Sequence, residues 1–195
     1  MRYLGKNSIS SFLRIVCNIA WYINLIIGGI LLLGLFFFTI HGPEIIPQFM
    51  KDFSFQAPGL KFFIDLQMLT VRPLPRVTIV VVFGSAICFI AVSLFILYQL
   101  RKIFSNLVKE EPFVKENVLR VRKIGVIVLV GGVFQSIVEY LIGCFVVQHI
   151  MIRGIRIVPE FGLNFPALLA GLSVLVLAEV LKEGTEIKED QNLTI

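Results

Sequence analysis

Residues 77–100 read VTIVVVFGSAICFIAVSLFILYQL, a run with no Asp, Glu, Lys or Arg. At about 1.5 Å of rise per residue, about twenty apolar residues in a helix cross a hydrocarbon core of about 30 Å, so this run is long enough to span a bilayer. Three more stretches have the same character. Residues 15–40 and 161–178 are also uncharged, and residues 124–152 contain Glu139 as their one charge. With 57% hydrophobic residues and a mean hydropathy of +0.89, the chain reads as an integral membrane protein of four helices. The predicted spans are 13–40, 77–100, 124–148 and 162–181. Outer loops are expected over 41–76 and 149–161, a helical hairpin over 101–123 and a tail over 182–195, all in a single membrane domain. The first run exceeds the short apolar core of a signal peptide, so it is expected to remain as a helix.

Orientation follows from the distribution of Lys and Arg, which favours the cytoplasmic side. Residues 1–14 hold three basic residues, 101–123 hold seven and 182–195 hold two, whereas 41–76 hold four and 149–161 hold two. Both termini and the hairpin are therefore predicted to be cytoplasmic, in a bacterial cytoplasmic membrane. The net charge of +5 is read as juxtamembrane charge facing anionic headgroups, and direct nucleic-acid binding is not expected. Cys17, Cys88 and Cys144 all lie in apolar runs, where thiols pack as small hydrophobes, so no disulfide framework is predicted.

Between the spans, Leu100, Ile103, Phe104, Leu107 and Val108 recur at helical spacing, so the second helix is predicted to continue past the membrane. Asn106 falls on the polar face of that extension. Lys109-Glu110-Glu111-Pro112 breaks the helix, and the third restarts near Val114, with Phe113 expected to pack on Val118 as a hydrophobic staple. In the outer loops, residues 60–68 and 150–158 have strand-like composition, and a short β pairing between them is expected. Helix four is predicted to stop at Gly184 and the tail beyond it to fold only against another surface.

The stretch LRKIFSNLVKEEPFVKENVLRVRKIG and the ending LAEVLKEGTEIKEDQNLTI resemble a family of small four-span bacterial membrane proteins classified as a domain of unknown function. The likeness is carried by Pro112-Phe113 with Glu116-Asn117 opening helix three, by Glu179 and Gly184 near the end of helix four, and by Leu193-Thr194-Ile195. It implies the four-span fold and a neighbouring small helix-turn-helix regulator as a partner. Val114 and Asn192 depart from the family pattern, which has Thr and Asp there; Val114 removes a capping hydroxyl.

Three sets of residues are candidates for function. Glu139 is a carboxyl inside a span, where a charge costs roughly 2.5–3.5 kcal/mol on insertion scales, so it is expected to be protonated or hydrogen-bonded within the bundle, with Ser85 or Gln135 sharing its proton. Arg101, Lys102, Lys109, Arg120, Arg122 and Lys123 form a basic cytoplasmic surface for lipid or a protein partner. The acidic tail (Glu179, Glu183, Glu186, Glu189, Asp190) is able to pair with that surface or with the partner. His41 and His149, with Glu44, Asp65 and Glu160, lie on the outer side without metal-ligand spacing, and neither a metal nor a cofactor is expected. No phosphate-binding loop, metalloprotease motif or nucleophile elbow is present, so the chain is read as non-enzymatic. The preferred function is a regulatory or anchoring partner of the helix-turn-helix regulator. The alternative is a self-protection or envelope-stress protein acting through its aromatic outer loop, and a small transporter using Glu139 ranks last.

Overall fold

The computed structural model describes residues 9–41, 53–57, 60–64, 69–71, 76–152 and 158–193. Among them are four long helices: α1 (Ile9–His41), α2 (Arg76–Val108), α3 (Lys115–His149) and α4 (Phe165–Leu193). Each contains a stretch long and apolar enough to cross a membrane. The chain is thus an all-α, multi-pass membrane protein. Large apolar side chains such as Ile19, Ile30, Leu33 and Phe36 of α1 are exposed, the opposite of a water-soluble core and the arrangement expected where lipid is the solvent.

Two short antiparallel ladders lie in the connections. Strand β1 (Phe53–Ala57) pairs with β2 (Leu60–Ile64), placing Phe55 opposite Phe62, and β3 (Leu69–Val71) pairs with β4 (Ile150–Ile152), placing Thr70 opposite Met151. The two connections therefore pair as anticipated, but through residues 69–71. Residues 60–64 turn back on the adjacent 53–57 instead, because a partner a few residues away closes a far shorter loop than one in the next connection.

The chain divides into two compact units. The first comprises residues 1–29, 88–135 and 163–195, and the second residues 30–87 and 136–162. In the first, α3 and α4 approach at glycines. A Cβ added at Gly171 would lie 2.6 Å from Leu129 Cγ and 2.9 Å from the Leu129 backbone nitrogen, and one at Gly125 would lie 2.8 Å from Leu175 Cδ2. Gly132 meets Ala167 in the same way, at 2.8 Å from its Cβ. In a membrane there is little hydrophobic gain between helices, so close backbone approach at small residues supplies the packing energy. The second unit uses rings: Gly34 receives the edge of Phe83, which also lies 5.6 Å from Phe38, and Tyr140 meets Phe161 edge-on at 5.8 Å.

The helix ends explain the connection between α2 and α3. Glu111 N–H donates to the Asn106 carbonyl at 3.0 Å and Glu110 N–H to the Leu107 carbonyl at 3.1 Å, the paired bonds of a Schellman cap, and Glu110 sits at φ 65°. That position favours glycine, since a Cβ there crowds the backbone. Replacing Glu110 by Gly is therefore expected to stabilise the detergent-solubilised protein by about 1 kcal/mol, read as a raised midpoint of thermal unfolding; an unchanged or lowered midpoint would contradict the strain assigned to this residue. Helix α4 opens on Asn164, whose Oδ1 accepts from Ala167 N–H at 3.1 Å, so Pro166 falls in the first turn, where its missing N–H costs nothing.

One expected boundary is overturned. Helix α4 passes through Gly184 and runs to Leu193, so most of the predicted tail is helix. Glycine inside a helix costs about 1 kcal/mol relative to alanine, and here tertiary contacts offset that cost.

Candidate functional site

Those contacts form a clasp between the α2–α3 turn and the last turns of α4, all within the first unit. The Phe113 ring lies over Gly184, where an added Cβ would come within 2.9 Å of the ring. Only glycine leaves the ring this space. Beside it Thr185 is buried and its hydroxyl donates to the Leu181 carbonyl at 2.8 Å. The ring expected as a staple within α3 thus closes on α4.

Asn117 is the centre of the turn. Its side chain is 1% exposed, yet its polar atoms are used: Nδ2 donates to the Pro112 carbonyl at 3.0 Å, and Oδ1 accepts from Asn106 Nδ2 at 2.9 Å and from Arg120 Nη1 at 3.3 Å. A buried amide satisfied in this way holds the end of α2, the turn and the start of α3 in one arrangement. Asn106 belongs to this network rather than to a solvent face. The period of the α2 extension places Asn106 away from the apolar stripe, but the turn folds α3 back over that side.

The charges of the clasp are paired across helices. Lys115 Nζ donates to Glu189 Oε2 at 2.8 Å, and Arg122 Nη2 lies 3.4 Å from Glu179 Oε2. Along α4, Lys182 meets Glu179 at 3.0 Å and Glu186 at 3.9 Å. The hydrogen bond and charge of Glu189 raise the Lys115 pKa above the ordinary lysine value, and Glu179 does the same for Lys182, so both remain ammonium groups across the neutral range. Of the two roles open to the acidic ending, pairing with α3 is therefore the one it takes in this structure. The Lys115–Glu189 pair depends on α4 continuing past Gly184, so the sequence does not mark it.

The six basic candidates separate accordingly. Arg101 lies over the Trp21 ring and Lys102 over the Tyr98 ring, each 5.7 Å from the centroid. Arg120 is tied to Asn117 and Arg122 to Glu179, while Lys109 and Lys123 are exposed and carry no ion pair among the described residues. Glu116 stands in the first turn of α3, where its charge complements the helix dipole. Leu193 closes α4, and Thr194 and Ile195 lie outside the described residues.

The intramembrane candidates lie on α2 and α3. Glu139 lies on α3 in the second unit and is exposed. Ser85 donates to the Val82 carbonyl of its own helix at 2.9 Å, so its hydroxyl proton is used locally. Gln135 Oε1 accepts from Asn164 Nδ2 at 3.2 Å. Asn164 thus caps α4 and joins it to α3, a role legible only in part from its place before Phe165-Pro166. Among the described residues no group of three His, Cys, Asp or Glu is placed to hold a metal. The side chains of His41 and His149, and Glu44 and Asp65 altogether, lie outside the described residues.

Four apolar helices with a polar clasp at one turn define a multi-pass membrane protein whose polar chemistry is concentrated between α3 and α4. The chain belongs to the family described as "Protein of unknown function (DUF2975)", whose model matches residues 55–195. The match covers the turn, the clasp and all of α4. No curated protein and no solved structure matches the chain.

Proposed function

We propose that this chain is a non-enzymatic anchor that holds a cytoplasmic regulatory protein, of the small helix-turn-helix kind its resemblance implies, at a bacterial cytoplasmic membrane. Both ends of the chain face the cytoplasm in this reading, in keeping with the excess of Lys and Arg in residues 1–14, 101–123 and 182–195. The observation that supports it is the hairpin of residues 101–123: Lys109 at its turn and Lys123 on α3 stand exposed and without an ion pair among the described residues, and the turn is braced by the buried Asn117. A braced surface binds without the cost of ordering itself.

Two experiments test the reading. In a background with Cys17, Cys88 and Cys144 replaced, Ser54→Cys is expected to react with an impermeant thiol reagent in intact cells and Lys109→Cys to react only after lysis. Lys109 is the better probe than Asn106, which is committed to Asn117. The reverse labelling pattern would overturn the orientation. Neutral Lys109→Gln with Lys123→Gln is then expected to release the regulator from isolated membranes while the protein itself stays inserted. Full retention by this variant would remove the anchoring role.

A further inference from the structure

We infer that the corner between α1 and α2 around Trp21, Tyr98, Arg101 and Lys102 binds the headgroup of an anionic phospholipid. The uncharged run of α2 ends at Leu100, so Arg101 and Lys102 are the first charges beyond the hydrocarbon. Both are held against aromatic rings, Arg101 at 5.7 Å from the Trp21 centroid and Lys102 at 5.7 Å from that of Tyr98. Neither forms an ion pair with a carboxylate among the described residues, in contrast to Lys115, Arg122 and Lys182. Two neighbouring cations without a carboxylate present uncompensated positive charge to whatever lies at that depth.

Depth decides which anion meets them. Trp and Tyr are amphipathic rings suited to the headgroup level, and here Tyr22, edge-on to Trp21 at 5.3 Å, and Tyr98 under Lys102 are 59% and 48% exposed. A cation stacked on such a ring keeps its outward N–H groups for a phosphate while its aliphatic stem stays along the apolar surface. The partner that combines a phosphate at this level with acyl chains along α1 and α2 is a lipid. A headgroup with net negative charge is favoured over a zwitterionic one, because Arg101 and Lys102 put two positive charges side by side with no carboxylate paired to either among the described residues. The inference uses neither Lys109 nor Lys123, so it stands or falls separately from the anchoring role.

Trp21 is the chain's single tryptophan and serves as a built-in probe. The full-length protein is reconstituted in phosphatidylcholine vesicles with a small fraction of phosphatidylglycerol or phosphatidylcholine brominated near the headgroup, and quenching of Trp21 emission is compared. Brominated phosphatidylglycerol is expected to associate at least about fivefold more strongly, the scale of one basic residue at a charged surface. In Arg101→Gln with Lys102→Gln the two lipids are expected to quench equally. If the double variant alters Trp21 emission in unbrominated phosphatidylcholine, Lys102→Gln alone replaces it, since its ring partner is Tyr98 and not the probe; the preference is then expected to fall by about fivefold. Equal quenching in the unsubstituted protein, or a preference that survives the substitutions, would overturn the inference. So would loss of the preference on adding soluble glycerol phosphate, because the site would then select a free phosphate rather than a lipid.

Discussion

Replacing Gly171 with Ala destabilises the protein by about 1–3 kcal/mol, the usual scale of an overpacked site, although alanine is the better helix former by about 1 kcal/mol. The reason is geometric. The new Cβ would lie 2.6 Å from Leu129 Cγ and 2.9 Å from the Leu129 backbone nitrogen, and a backbone atom cannot rotate aside as a side-chain tip can. Helices α3 and α4 must separate, and the same separation strains the neighbouring contacts at Gly125 and Gly132. Gly131 provides the control within one helix: a Cβ there meets nothing within 4 Å, so Gly131→Ala is expected to leave stability unchanged or raise it. Thermal unfolding in a single detergent measures both. Equal effects at Gly171 and Gly131 would show that the α3–α4 approach is not as close as described.

Asn117→Ala is expected to cost about 2–3 kcal/mol, because it removes a buried amide and leaves partners behind. The Pro112 carbonyl and the Asn106 amide lose their hydrogen bonds to an Asn117 that is itself almost fully buried. Asn117→Asp separates the two halves of the network: its oxygens still accept from Asn106 and Arg120, but it offers no donor to Pro112, so an intermediate loss is expected. Asn106→Ala combined with Asn117→Ala should cost little more than Asn117→Ala alone, since both remove the same bond. Strictly additive losses in that cycle would separate the two residues energetically and refute the network.

Both predictions concern residues whose roles differ in how far the sequence exposes them. The motif Pro112-Phe113 with Glu116-Asn117 marks Asn117, but period alone puts its partner Asn106 on a polar face. The second motif marks Gly184, and a stop is the commonest use of glycine near a helix end. In the structure it admits the Phe113 ring, and α4 continues to pair Glu189 with Lys115. The two motifs, far apart in the chain, are thus two halves of one contact. Gln135 accepts from Asn164 across α3 and α4, a bond that its place near Glu139 in the sequence does not reveal.

The amino-acid sequence by itself determined the membrane class, the four spans and the break between α2 and α3. Each depends on one segment meeting its solvent: an uncharged run of sufficient length belongs in lipid wherever its neighbours lie, and Glu110-Glu111-Pro112 interrupts a helix by local chemistry. The tertiary structure alone decided that α4 runs past Gly184, that its acidic end meets α3, that Asn106 faces Asn117, and that residues 150–152 pair with 69–71. These are properties of two segments in a particular register. A one-residue shift along a helix turns a side chain by about 100°, so whether Gly171 meets Leu129, or Glu189 meets Lys115, is set by how the helices pack and is written in neither helix alone.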